Sequence, residues 1–180
     1  MKKNIRMDYK SLFLLVAMIG GAIAAHGQTE PLVSLNYEEI TFDSVYVYDD
    51  SVGNAGVKAF PVFAPKKSYV YFSLIGKSKD RYKGEVRYKL LKKVVHTGWI
   101  DRELAYVNFY MGGWEKLRWQ PSRDADFSYI YVYDQRCKVI DFDGVWLKIE
   151  GYDILGQFFR GWLTPAHQTP AVPRLKIKKK

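Results

Sequence analysis

Cys137 is the only thiol in the 180 residues, so any thiol chemistry rests on it. Such a nucleophile needs a helix start or an adjacent base to generate thiolate. The stretch "RCKVIDF" has the make-up of a strand, with Arg136 and Lys138 beside the cysteine and no helical pattern after it. A small buried hydrophobe is the expected role there. Of the three histidines, His26 ends an N-terminal apolar run and His167 opens a basic tail. His96 alone lies inside the strand-rich body, beside Gly98-Trp99, where a structural role is expected. None of these residues reaches the spacing of a zinc site. Asp49-Asp50 and Asp141/Asp143 border turns, where aspartate is favoured for its local hydrogen bonds. "GKSKDRYKG" lacks the strand-and-glycine context of a phosphate loop. The sequence therefore predicts no catalytic residue, no metal and no cofactor.

Aromatic side chains offer a different chemistry. They make up 16% of the chain, and Tyr46, Tyr48, Tyr69, Tyr71, Tyr129, Tyr131 and Tyr133 fall opposite aliphatic positions. Rings with hydroxyl handles stack on sugars or peptide stems, but they also pack between domains or pair across strands. In "GVWLKIE", Trp146 shares a face with Lys148 and Glu150, away from Leu147 and Ile149. A tryptophan on a polar face reads as a contact residue. The candidate ligand-binding set is Trp146, Trp119, Tyr129, Tyr131 and Lys148, with a contact between the two halves as the alternative for Trp146. The basic residues of 77–93 suit an anionic partner or a solvated hairpin.

The elements that would hold these groups are strands. "SVYVYD", "SYVYFSL" and "FSYIYVYD" each alternate aliphatic with aromatic or polar residues, the period of a half-buried strand. In "RYKGEVRYKLL", Val86, Tyr88 and Leu90 alternate with Glu85, Arg87 and Lys89. In "CKVIDFDGVWLKIE", Asp143-Gly144 predicts a type I′ hairpin turn. One helical turn is expected at "DRELAY", with Asp101 as its cap. The class is all-β.

The N-terminus reads as an export signal. Lys2, Lys3, Arg6 and Lys10 precede the apolar run "SLFLLVAMIGGAIAA" and then small residues, the order of a cleaved signal peptide over 1–27. Cleavage before Gln28 or after Ala24 fits, and the run is shorter than the ~20 residues of a membrane span. The chain is then exported, periplasmic or extracellular, without a transmembrane anchor, and nucleic acid is not an expected partner. The net charge of +9 is misleading. Three of those charges belong to the leader, and Arg174, Lys176, Lys178, Lys179 and Lys180 supply five of the remaining six. The tail 167–180 is expected to be mobile, with weak contact to an anionic surface as one use.

Two halves share an order of features: a proline-containing opening (Pro65; Pro121), a strand, a hairpin, and a closing Gly-Trp at Gly98-Trp99 and Gly161-Trp162. The order predicts a duplicated barrel of about five strands per unit, each with its own core. Glycine would allow a close approach as each barrel closes, and the tryptophan would plug its end. The second half resembles the bacterial SH3 family. "LRWQPS" supplies Leu117, Arg118, Pro121 and Ser122; "GVWLKI" supplies Gly144, Trp146, Lys148 and Ile149; "GWL" supplies Gly161 and Trp162. The first half matches more loosely, with Tyr88 near the place of the middle tryptophan. The resemblance implies two tandem SH3-like barrels, over 28–110 with extra leading strands and over 111–166. It points to a non-catalytic module for cell-wall peptide or glycan. A protein-interaction or inhibitor role in the envelope uses the same surface on a folded partner.

Overall fold

The computed structural model of the chain describes residues 31–35, 44–64, 68–109, 113–133 and 135–168. The expected leader lies outside them, as does the tail beyond Gln168. The architecture is all-β. The described residues of the first half form β1 (Leu32–Leu35), β2 (Ser44–Val47), β3 (Lys58–Pro61), β4 (Phe63–Ala64), β5 (Ser68–Lys77), β6 (Arg81–Tyr88) and β7 (Leu91–Asp101). Those of the second form β8 (Ala105–Phe109), which lies inside the expected first unit but pairs with β11, then β9 (Gly113–Arg118), β10 (Phe127–Val132), β11 (Gln135–Asp143), β12 (Trp146–Tyr152) and β13 (Phe158–Leu163). Two 3-10 turns, Arg102–Leu104 and Pro165–His167, follow the two Gly-Trp strands. Among the described residues no helix is long and apolar enough to cross a membrane.

Alternation sets the faces as expected. Val45 and Val47 are buried and Tyr46 is exposed; Ile130 and Val132 are buried, with Tyr129 and Tyr133 exposed. On β5 the pattern breaks, because Tyr69 and Ser73 are buried as well as Val70, Phe72 and Leu74. Leu90 does not join the Val86 face; it sits exposed in the turn after β6.

The second half repeats the strand order of the first. Its order is β10-β9-β13-β12-β11-β8. The first runs β3-β2 and β7-β6-β5-β1, linked where Tyr48, just past β2, exchanges both backbone hydrogen bonds with Trp99 (2.9 and 2.8 Å). β1 and β8 then pair antiparallel, Ser34 with Tyr106 and Leu35 with Ala105, and run the two sets into one sheet. The buried residues likewise form a single contiguous cluster, from Val33 to Leu163, instead of the two separate cores expected. Side chains cross the junction too: the Tyr82 hydroxyl meets the Val139 carbonyl at 3.4 Å, and Arg102 donates to the Ile140 carbonyl at 2.6 Å.

The two glycines of the Gly-Trp pairs meet the same obstacle. A Cβ on Gly98 would lie 2.5 Å from Val47 Cγ1 and 2.8 Å from the Tyr48 carbonyl oxygen. One on Gly161 would lie 2.8 Å from Leu117 Cβ and 3.2 Å from the Arg118 carbonyl oxygen. Each glycine is thus the point where a crossing strand presses on the Gly-Trp strand. The tryptophans differ from expectation. Trp162 pairs with Lys148 and Arg118, on the face opposite Leu147, Ile149 and Leu163, so it is buried outside the main cluster. Trp99 is half-buried.

Two local expectations are corrected. The hairpin pairs Asp143 with Trp146, so Gly144-Val145 is the turn and Asp143 belongs to the strand. Gly144 has φ +51 and Val145 has no positive φ, which is the II′ sign pattern, not I′. Asp101 makes no side-chain cap; its carboxylate accepts from Arg81 Nε at 3.0 Å. The tail also begins later than expected. Gln168 is buried, accepting from the Leu32 amide at 3.2 Å and donating to the Val145 carbonyl at 2.6 Å.

Candidate functional site

Strands β9 and β10 form a hairpin whose inner face, Leu117, Ile130 and Val132, is buried in the core. Period two therefore sends the other set outward: Trp114, Lys116 and Arg118 on β9, Phe127, Tyr129 and Tyr131 on β10. The rings pair edge to face, Trp114 with Tyr131 and Phe127 with Tyr129, each at 5.2 Å. Lys116 Nζ lies over Phe127 at 4.3 Å and Tyr129 at 5.5 Å, and the Arg118 guanidinium lies 5.7 Å from Phe127. Trp114 is 66% exposed and Tyr129 56%, so the face is open to solvent.

Beside this face lies a groove of about 290 Å³ between β10 and the start of β13. Trp119, Tyr129, Phe158 and Arg160 provide its rings and charge. Trp119 is 65% exposed, with its indole N–H donating to Ser128 Oγ at 3.2 Å. The Arg160 guanidinium lies 5.6 Å from the Phe158 ring and is tied to Glu150 at 2.6 Å. The Asp153 carboxylate accepts from the amides of Leu155 and Gln157, both at 2.8 Å, and so shapes the loop that walls the groove.

The structure brings together Trp119 and Tyr129 of the expected set. Tyr131 stands on the same strand face, two residues along, against Trp114. Trp146 and Lys148 do not line the groove. Trp146 is half-buried at the start of β12, and Lys148 Nζ lies 5.6 Å above the Trp162 ring. Phe158, Arg160, Phe127, Lys116 and Trp114 were not in that set. Their signal was present, since "GWEKLR" and "FFRGW" put aromatic and cationic residues in alternate positions.

The first half shows how much of this the scaffold needs. Register places Lys83 opposite Trp99 and Lys148 opposite Trp162, and both lysines lie over their tryptophans, at 5.9 and 5.6 Å. Two residues before each lysine stand Arg81 and Trp146, so the place of the middle tryptophan is held by Arg81, not Tyr88. Arg81 is buried, with its guanidinium 3.6 Å from the Tyr48 ring and bonded to Asp101, Asp50 and the Gly53 carbonyl. Matching Val47 to Leu117 sets Ser44, Ala59 and Pro61 against Trp114, Tyr129 and Tyr131. The same match sets Tyr46 and Tyr48 against Lys116 and Arg118, so the first pair of strands carries tyrosines on that face where the second carries cations. The paired rings Trp114–Tyr131 and Phe127–Tyr129 with Lys116 over them belong to the second.

The other groups weighed for chemistry are absorbed by the fold. Burial pushes the Cys137 thiol up to about 12, which keeps it protonated near neutrality. His96 stacks on Phe60 at 5.4 Å, and burial, with Lys58 nearby, holds its pKa below the usual value against the pull of Asp49. Among the described residues no group of His, Cys, Asp or Glu could hold a metal ion. In the basic stretch, Lys77 binds Asp141 at 2.7 Å and Arg87 binds Glu85 at 2.5 Å.

No protein-family model matches the chain, and no curated protein does. Among solved structures the chain is similar to NlpC2 from Trichomonas vaginalis, with 15% identity and a TM-score of 0.32 over 79% of this chain and 49% of that one. The chain thus spans about half the length of that protein. A likeness this distant carries nothing about activity.

Proposed function

We propose that the chain is an exported, non-catalytic binding protein of two SH3-like barrels. Its second unit holds cell-wall peptide or glycan on the aromatic face and groove of β9, β10 and β13. One observation carries this reading: equivalent strands bear Ser44, Ala59 and Pro61 in one half and Trp114, Tyr129 and Tyr131 in the other. The fold stands without those rings, so their cost in exposed apolar surface points to contact with a ligand. The grouping of Trp119, Tyr129, Phe158 and Arg160 around one groove supports a stacking site with a polar handle. A protonated, buried Cys137 supports the absence of thiol catalysis.

A second occupant class is favoured by one feature. Tyr152, Ile154 and Leu155 are exposed beside the groove and widen the apolar area beyond what a small ligand covers. A folded envelope partner, such as an enzyme held in check, would use that width.

Pull-down on purified peptidoglycan, beside capture of envelope proteins, tests both. Wild type is expected on peptidoglycan, and Trp119→Ala should lower retention about tenfold, the ~1.4 kcal/mol of a lost stacking contact, with an unchanged melt. Trp146→Ala should bind as wild type. Retention only by an envelope protein supports the second occupant. Equal behaviour of wild type and Trp119→Ala in both assays removes the groove from either reading.

A further inference from the structure

Among the described residues strand β10 ends the sheet, and its free side opens into the groove. The direction of its backbone groups follows from the ladder. Trp119 N–H donates to the Asp126 carbonyl at 2.8 Å, one step beyond the Phe127–Arg118 pair. Antiparallel pairs alternate between bonded and non-bonded, so Ser128 and Ile130 bond to β9 while Phe127, Tyr129 and Tyr131 turn their N–H and C=O outward. The Tyr131 carbonyl confirms it by accepting from the Ile154 amide at 3.2 Å. Among the described residues, the outward groups of Phe127 and Tyr129 have no such partner.

Exposed edges are normally blunted with lysine, proline or cover. The equivalent strand β3, "KAFP", is: Lys58 and Pro61 are both exposed on it. β10, "FSYIYV", has neither charge nor proline, and is made of residues that favour strands. The edge also has a sign. Lys116 leans over Phe127 and Tyr129 and forms no ion pair among the described residues. Arg118 approaches Phe127 from the same face, its own polar bond going to the Ala125 carbonyl.

We propose that β10 takes up an extended acidic peptide as an added strand. The peptide's main chain bonds to Phe127 and Tyr129, and its carboxylates lie over Lys116 and Arg118. The added strand would run one strand spacing, about 4.8 Å, from the β10 backbone and two from β9, with the Lys116 and Arg118 side chains leaning across the β10 rings toward it. The inference rests on the reading of this face as a binding surface, and narrows the ligand from glycan or peptide to peptide.

The test uses the full chain and a capped seven-residue peptide of alternating Glu and Val. Two further versions carry backbone N-methyl groups, one on the odd residues and one on the even, and a fourth replaces Glu by Lys. The acidic peptide should bind and slow amide exchange at Phe127 and Tyr129 at least about tenfold. One N-methyl pattern should abolish binding and the other leave it, because a single side of an added strand faces β10. Lys116→Glu should turn the preference toward the lysine peptide without changing the melt. Equal binding of both N-methyl patterns, or exchange at Tyr129 that no peptide alters, overturns strand addition. Binding of a chito-oligosaccharide and of no peptide overturns it too, yet leaves the face a binding surface. Protection of the Tyr129 amide that rises with protein concentration, or that vanishes on deleting residues 169–180, assigns the edge to a second copy or to the chain's own end and likewise refutes the proposal.

Discussion

At the scale of single residues, the Gly-Trp pair was half legible. Its glycine was expected at a close approach, and Val47 and Leu117 make that approach at the two sites. Its tryptophan was expected to plug a core, but alternation forbids this: if Gly161 faces the core with Phe159 and Leu163, Trp162 must face the other way. Gly98→Ala should destabilise by about 1–3 kcal/mol in a thermal melt, since Val47 and the Tyr48 backbone must both shift. Gly113→Ala meets nothing within 4 Å and should stay within about 0.5 kcal/mol. Trp162 is 9% exposed, so Trp162→Ala should cost about 3 kcal/mol, and half-buried Trp99 less. Cys137 gives a chemical readout. Its folded pKa is raised by burial from 9.0 to about 12, so its stabilising effect is full below pH 9 and is lost as pH climbs toward about 12. A thiol reagent at pH 8 should label it only after denaturant is added.

At the scale of elements, strand existence was readable because burial on one face writes period two into the sequence. What the strands do for one another was not. Asp101 has the look of a helix cap, yet it serves Arg81, which is distant in sequence and adjacent only through the β6–β7 register. No local pattern announces that Arg81 also clamps the loop after β2 through Gly53, Asp50 and the Tyr48 ring. Arg81→Ala should cost about 1–3 kcal/mol and raise amide exchange across residues 49–57, because one buried guanidinium holds Asp50, Gly53 and Asp101 and all three lose their donor at once. Arg81→Lys should recover little, having no planar fork to span them. The candidate groove was legible in part for the same reason. Trp119 and Tyr129 could be named from composition, whereas Phe158 and Arg160 come to them only through the folding of β13 beside β9.

At the scale of the whole molecule, duplication was visible in the repeated motifs, but the junction was not. β8 lies inside the expected first unit, 28–110, yet it hydrogen-bonds to β11 of the second half as well as to β1. The expected pair of independent cores is accordingly one cluster, and the chain should melt in a single transition by both tryptophan fluorescence and circular dichroism. The junction also titrates. Burial would raise the Asp141 pKa, but hydrogen bonds from Lys77 and the Phe142 amide hold it below the usual carboxylate value. Its contribution is therefore present above that range and lost as pH falls, so acid should lower the melting temperature less in Asp141→Asn than in wild type. β1 adds a constraint of time. A ribosome delivers Leu32–Leu35 before β2 to β7, while one partner strand, Ala105–Phe109, comes only after all of them. Until then the outer side of that short strand stays open, and the first half waits in an adhesive state for its seam to be closed by the second.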